Sequence, residues 1–177
     1  MKRGPFTVTA LACAALALLA GCGGGDDGKP KVRANETDMA FATQMIPHHE
    51  GGIDAADLAR TRARDPLIRR TARDLLQLQP VEVQTLRTVR RVLGEAGVEE
   101  GDLGVSAAPL DLTALREAED FDRAFADALI GHHEAAIRLA AAERRGGKHA
   151  ELRRMSGDIT DLARFQIRQL ERWRRGG

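Results

Sequence analysis

Apolar residues fall along this chain in two different ways. Residues 8–20 form one near-continuous apolar run, whereas beyond residue 36 the apolar positions recur every three or four residues, the period of an amphipathic helix. Four long helices are predicted. The first begins at Thr37 or Asp38, either of which can cap it, and runs to about Arg64. Asp65-Pro66, a cap followed by proline at the first helical position, starts the second, which carries Leu67, Leu75, Leu78, Val83 and Leu86 to Leu93 before Gly94 and Gly97. A third starts at Asp111 or Thr113 and reaches Arg145, ahead of Gly146-Gly147. Residues 148–174 make a fourth, with Leu152, Met155, Ile159, Leu162, Phe165 and Trp173 on its stripe. Pro47 and Pro80 fall inside the first two helices and predict bends.

The pattern is also duplicated. Shifted by 84 residues, Asp38, Phe41, Ile46, His48, His49, Glu50, Ile53 and Ala56 meet Asp122, Phe125, Ile130, His132, His133, Glu134, Ile137 and Ala140 without a gap. Repeat 1 spans about 36–96, a glycine-containing linker covers 97–110, and repeat 2 spans about 111–174. Each repeat is a helical hairpin, and two hairpins bury their stripes most simply as a four-helix bundle. The expected fold is therefore all-α. Composition agrees, since only 3% of residues are aromatic and there is no tyrosine, while alanine, leucine, arginine and glutamate favour helix.

The early apolar run is too short to span a membrane at about 20 residues, and it follows Lys2 and Arg3, so residues 1–21 read as an export signal. Its end, Leu19-Ala20-Gly21-Cys22, resembles the lipobox of bacterial lipoproteins. That resemblance implies that Cys22 becomes the first residue, carries lipid, and anchors the protein to a membrane at the cell envelope, outside the cytoplasm. Residues 22–35, rich in glycine, aspartate and lysine, form a polar tether, because they lack apolar groups to offset the entropy of ordering. Cys13 would leave with the signal, so no disulfide is expected. Setting Lys2 and Arg3 aside leaves 25 of the 27 basic residues against 26 acidic ones, which offers no footprint for nucleic acid.

Four of the five histidines lie in the repeat, as the pairs His48-His49 and His132-His133. At about 100° per residue, Asp38, Phe41, Met45, His48, His49, Gly52 and Ala56 fall close to one line down a helix, and the second copy repeats that stripe. Two matching helices would bring four imidazoles towards one place, with Glu50 and Glu134 on the flank. Imidazole suits copper, zinc, nickel and iron, and the thioether of Met45 adds a preference for Cu(I). Met39 lies off the stripe as an accessory ligand at most, Met155 belongs to the core, and His149 reads as a loop or cap residue. Ordinary imidazoles would lose metal to protons as pH falls from 7 to 5.

At these residues the chain resembles the secreted helical family catalogued as domain of unknown function 305, over roughly residues 36–174. The family's pattern is a phenylalanine, then Met-Ile-x-His-His, then small residues. Here it reads Phe41 and Met45-Ile46-Pro47-His48-His49, with Phe125 and Leu129-Ile130-Gly131-His132-His133. Its second-helix pattern of glutamine, two residues and glutamate matches Gln79 and Glu82. The second copy departs twice, with Leu129 where methionine is usual and with Gln166 and Gln169 in place of the Gln-Glu pair. The resemblance implies a ferritin-like bundle and, since some members bind copper, a copper ion held by Met45, His48, His49, His132 and His133.

Rival classes fare less well. A carboxylate di-metal enzyme wants Glu-x-x-His on two helices, and the chain contains no Glu-x-x-His. It also lacks a nucleophile elbow, a His-Glu-x-x-His zinc motif and a phosphate loop. No enzyme is expected. A helical envelope lipoprotein that binds another protein, with its histidines structural, is the alternative.

Overall fold

The computed structural model describes residues 33–176, so the signal, Cys22 and most of the tether lie outside the described residues. Five helices follow in order: α1 Glu36–Arg62, α2 Pro66–Glu95, α3 Leu112–Glu117, α4 Phe121–Gly146 and α5 Ala150–Gly176. Among the described residues there is no strand, and no helix is long and apolar enough to cross a membrane.

Local chemistry sets most boundaries where the sequence puts them. Asp65 caps α2 by accepting from the amides of Leu67 and Ile68, with Pro66 in the first turn. The helix ends at Gly97, whose φ of 77° is open to glycine at little cost. Two expectations change. The cap of α1 is Asn35, not Thr37 or Asp38: Asn35 accepts from the Asp38 amide, and the Asp38 carboxylate accepts from the Asn35 amide, a reciprocal capping box. The single third helix is broken at residues 118–120, where Ala118 turns extended and Asp120 caps α4 through the Arg123 amide. Arg62 stabilises the break. Its guanidinium donates to the carbonyls of Leu115, Arg116 and Ala118, which the end of α3 leaves free, and lies 4.8 Å from the Phe121 ring centroid. Pro47 and Pro80 are exposed, and α1 and α2 run on through them, so neither bend interrupts its helix.

The hairpins pack as α1 against α2 and α4 against α5, joined through α1 against α4. The core divides into two apolar clusters. One holds Phe41, Met45, Leu86, Leu93, Leu139 and Leu152, and the other holds Ala55, Ile68, Leu75, Phe125, Leu129 and Leu170. These sets exchange under the 84-residue shift, so Phe41 answers to Phe125 and Ile68 to Leu152. Leu78 and Phe165, assigned to the stripes by period, are 44% and 48% exposed and lie outside the core.

A crossed pair of aspartates ties the two repeats together. Asp38, buried in the first turn of α1, accepts from the amides of Lys148 and His149 in the turn between α4 and α5. Asp122, its counterpart in α4, accepts from the amides of Arg64 and Asp65 in the turn between α1 and α2. The two sets of amides are themselves related by the same shift. Each repeat therefore closes the turn of the other, as in a symmetric dimer fused into one chain.

Candidate metal centre

Between the two apolar clusters the packed helices α1 and α4 contribute a polar layer. His48, His49, His132 and His133 are 7%, 2%, 6% and 5% exposed, so all four lie inside the bundle. The helix period explains their burial, because residues 45 and 52 on α1 and 129 and 136 on α4 lie inward on either side of the pairs.

The layer has two faces. His48 and His132, equivalent under the repeat, stack with ring centroids 3.8 Å apart and planes 7° from parallel. Each adjacent pair instead diverges: His48 and His49 lie 6.1 Å apart at 40°, and His132 and His133 lie 5.9 Å apart at 50°. One turn of sequence expects all four imidazoles to converge, whereas neighbours on a helix point about 100° apart. The stacked pair faces a space of about 270 Å³ bounded by Gln44, Pro47 and the linker from Ala107 to Leu110. His49 and His133 face a cleft of about 30 Å³ between α2 and α5, with Gln79, Glu82 and Gln166.

Across that cleft, His49 Nε2 lies 3.0 Å from Glu82 Oε2. Gln166 stands against His133 in the same cleft, and both of its amide atoms, like His133 Nε2, lack a hydrogen-bond partner. Gln166 therefore occupies the place of Glu82 at the same 84-residue shift, and the sequence alignment that set Gln166 and Gln169 against Gln79 and Glu82 is corrected by one helical turn. Gly52 makes room for the layer: a Cβ there would stand 2.9 Å from His132 Nε2 and clash with Gln79 Oε1.

The electrostatics favour neutral imidazole. Burial pushes His48 down to about 3, helped by the neighbouring His49 and His133. His133 is lowered to about 4, again chiefly by burial, and His132 is lowered well below its ordinary value. For His48 and His133 the range in which protons compete for the ring consequently lies below pH 5, not between 7 and 5. Several ring nitrogens have no hydrogen-bond partner: His48 Nε2, both nitrogens of His49, His132 Nε2 and His133 Nε2, together with Gln79 Oε1. Buried polar atoms are normally paired. A soft or borderline cation would take the one lone pair that each neutral imidazole offers, and the donor set fits one.

The remaining candidates separate cleanly. Met45 is fully buried one turn before the histidines, in the apolar cluster with Leu86 and Leu139, and Leu129 occupies its place in the other cluster. Met39 and Met155 are core residues of that first cluster. His149 lies in the turn before α5, its amide bonded to Asp38 and its carbonyl to the Arg153 amide. Glu50 pairs with Arg87 on the surface, and Glu134 is exposed. Among the described residues no three His, Cys, Asp or Glu side chains already converge at metal-binding distance, so binding requires side-chain rotation within the layer.

Sequence reasoning passed over Glu143. It lies on α4 with no exposure, beside Asp38, and a Cβ on Gly147 would clash with its carboxylate. Burial, a hydrogen bond with Asp38 and the Asp38 charge push it up to about 8. Its counterpart in the first repeat is Ala59, so no repeated signal drew attention to it.

Residues 38–174 match the family described as Domain of unknown function (DUF305). Among solved structures, CopM in its Cu(II)-bound form is similar, with 26% identity and a TM-score of 0.70 over 78% of this chain and 96% of that one. CopM in its Cu(I)-bound form has 27% identity and a TM-score of 0.68, over the same shares of the two chains. A putative secreted DUF305 protein from Streptomyces coelicolor shares the fold at 17% identity and a TM-score of 0.66, over 76% of this chain and 90% of that one. No curated protein matches the sequence.

Proposed function

The chain belongs to the DUF305 family, and from that membership we propose that it is a copper-binding protein of the cell envelope, held outside the cytoplasm by lipid on Cys22. The ligands are His48, His49, His132 and His133, with Met45 as the thioether. The observation that carries this reading is the layer of buried imidazoles whose ring nitrogens lack partners. Leaving a buried polar atom unpaired costs about 1–3 kcal/mol, and a bound cation would remove that cost for several atoms together. CopM, similar over most of this chain, is known in Cu(II)-, Cu(I)- and Ag-bound forms, which supports the same class of cargo here.

Imidazole and thioether hold copper without needing a proton to leave when the imidazole is already neutral. The role is binding, with no catalytic step assigned to any side chain. Met45 acts from the apolar cluster, one turn from His48 and His49, where a soft sulfur can rotate towards the layer without exposing the core.

The test is titration of metal-free residues 36–177 with Cu(I) against a competing chelator, followed by elemental analysis. The expected result is tight binding that falls at least tenfold in a variant carrying His48→Ala with His49→Ala. Met45→Leu keeps the packing volume and should lower Cu(I) affinity alone. A folded double variant that binds as tightly as the parent returns the histidines to a structural role, in a lipoprotein that acts through protein contacts. For the anchor, Cys22→Ala should release the full-length protein from membranes, and unchanged fractionation would remove that part.

A further inference from the structure

The two cleft-facing halves of the layer are equivalent in fold and unequal in charge. Gln79 and Glu82 come from α2, and Gln166 comes from α5. Glu82 stands against His49 where Gln166 stands against His133, the one an anion and the other its neutral isostere. We propose that Glu82 is the specificity-determining residue of this centre: with His49 it forms a nitrogen–carboxylate pair that selects Cu(II) over Cu(I), on the first-repeat side only. The inference rests on the reading of the layer as a copper site.

Three observations support it. The 3.0 Å approach of His49 Nε2 to Glu82 Oε2 is not a formed hydrogen bond, since both nitrogens of His49 lack a partner. Two ligands each about 2.0–2.1 Å from a shared ion, at the right angle of a tetragonal site, stand about 2.9 Å apart, close to that approach. Gln79 Oε1 from the preceding turn of α2 is also buried and unpaired, and adds an oxygen to the same cleft. A charged carboxylate oxygen favours a divalent ion, whereas Cu(I) prefers sulfur and imidazole and gains little from it. Glu82 is 23% exposed at the cleft, so an arriving ion meets it from solvent.

Glu82→Gln is the informative variant, because the same isostere already occupies the equivalent place at residue 166 in this fold. Cu(II) and Cu(I) affinities would be measured separately, each by competition, with the Cu(II) electron paramagnetic resonance spectrum recorded alongside. The expected result is at least a tenfold loss for Cu(II), less than threefold for Cu(I), and a changed Cu(II) spectrum. The reverse change, Gln166→Glu, should raise Cu(II) affinity or stoichiometry. Equal losses for both oxidation states, or no loss, overturn the role of Glu82 and leave copper binding standing. A parent domain that binds neither ion overturns the copper reading itself.

Discussion

Glu143→Gln should stabilise the metal-free domain at alkaline pH, by an amount set by the burial of one carboxyl. In the folded protein Glu143 keeps its proton up to about pH 8, because it has no exposure and faces the ionised Asp38. In the unfolded chain it releases that proton near its ordinary value of 4.5. Between those values the folded state binds more protons than the unfolded one, so the stability contributed by this group is full at acid pH and is lost as pH rises through 8. Each pH unit is worth about 1.4 kcal/mol. From pH 5 to pH 8 the loss is about 2.5–3.5 kcal/mol, allowing for incomplete titration at each end.

Glutamine has nearly the same shape, can hydrogen-bond to Asp38, and does not titrate. The assay is urea unfolding of residues 36–177, parent against Glu143→Gln, at half-unit steps from pH 5 to 8 with chelator present. Groups other than Asp38 titrate alike in the two proteins, so the difference isolates the Glu143–Asp38 carboxyl pair. It should widen with pH and reach a midpoint shift of roughly 1–2 M urea at pH 8, for a slope of about 2 kcal/mol/M. A difference that stays constant within about 0.5 kcal/mol across that range would show that Glu143 ionises normally, and would refute the buried carboxyl pair.

The histidines should show the opposite sign. In the Glu143→Gln background, His48 and His133, lowered to about 3 and about 4, should each cost about 2 kcal/mol at pH 5, since below pH 6.5 the unfolded chain takes up protons first. Stability that is unchanged between pH 7 and 5 would count against their burial. Gly52→Ala should destabilise by about 1–3 kcal/mol, because its Cβ meets Gln79 and His132, whereas Gly51→Ala, with nothing within 4 Å, should stabilise by up to about 1 kcal/mol. Equal melting temperatures for the two variants would contradict the close approach. Asp122→Ala, which strips the acceptor from the amides of Arg64 and Asp65, should cost about 1–2 kcal/mol by urea unfolding, and a neutral result would dissolve the crossed tie between repeats.

Much of the fold is legible because it is written in local chemistry. Asp65-Pro66 and Gly97 mark their helix ends by backbone rules that need no tertiary information, and the repeated stripe identifies the helices that meet. The break at residues 118–120 is different, since it depends on Arg62 reaching the α3 carbonyls from the end of α1, across more than fifty residues. Glu143 escaped notice for the same reason: a lone acid in a helix normally reads as solvated, and its partner Asp38 is in another repeat. At the candidate site, period gives the angle of each histidine about its own helix but not what stands opposite. It predicts that His48 and His49 are both inside, and cannot predict that one stacks on His132 while the other turns towards α2. The register of Gln166 was available, because the same gap-free shift carried into the second helix of each hairpin sets it against Glu82.

The residues that obey the repeat and those that break it have different locations, and this bears on how the layer binds an ion. Phe41 and Phe125, His48 and His132, Asp38 and Asp122, and Leu86 and Leu170 are identical pairs, and they make the core, the stacked rings and the crossed ties. Met45 against Leu129, Gly52 against Ala136 and Glu82 against Gln166 are unequal pairs, and all three line or adjoin the polar layer. An ion midway between His48 and His132 would meet equal halves and gain nothing from this inequality. Thioether and carboxylate both belong to the first repeat, where Gly52 also lets Gln79 and His132 approach closely, so the stabilisation they offer is largest for an ion displaced towards α1 and α2. Duplication supplies the frame, and loss of symmetry within the layer supplies one preferred side.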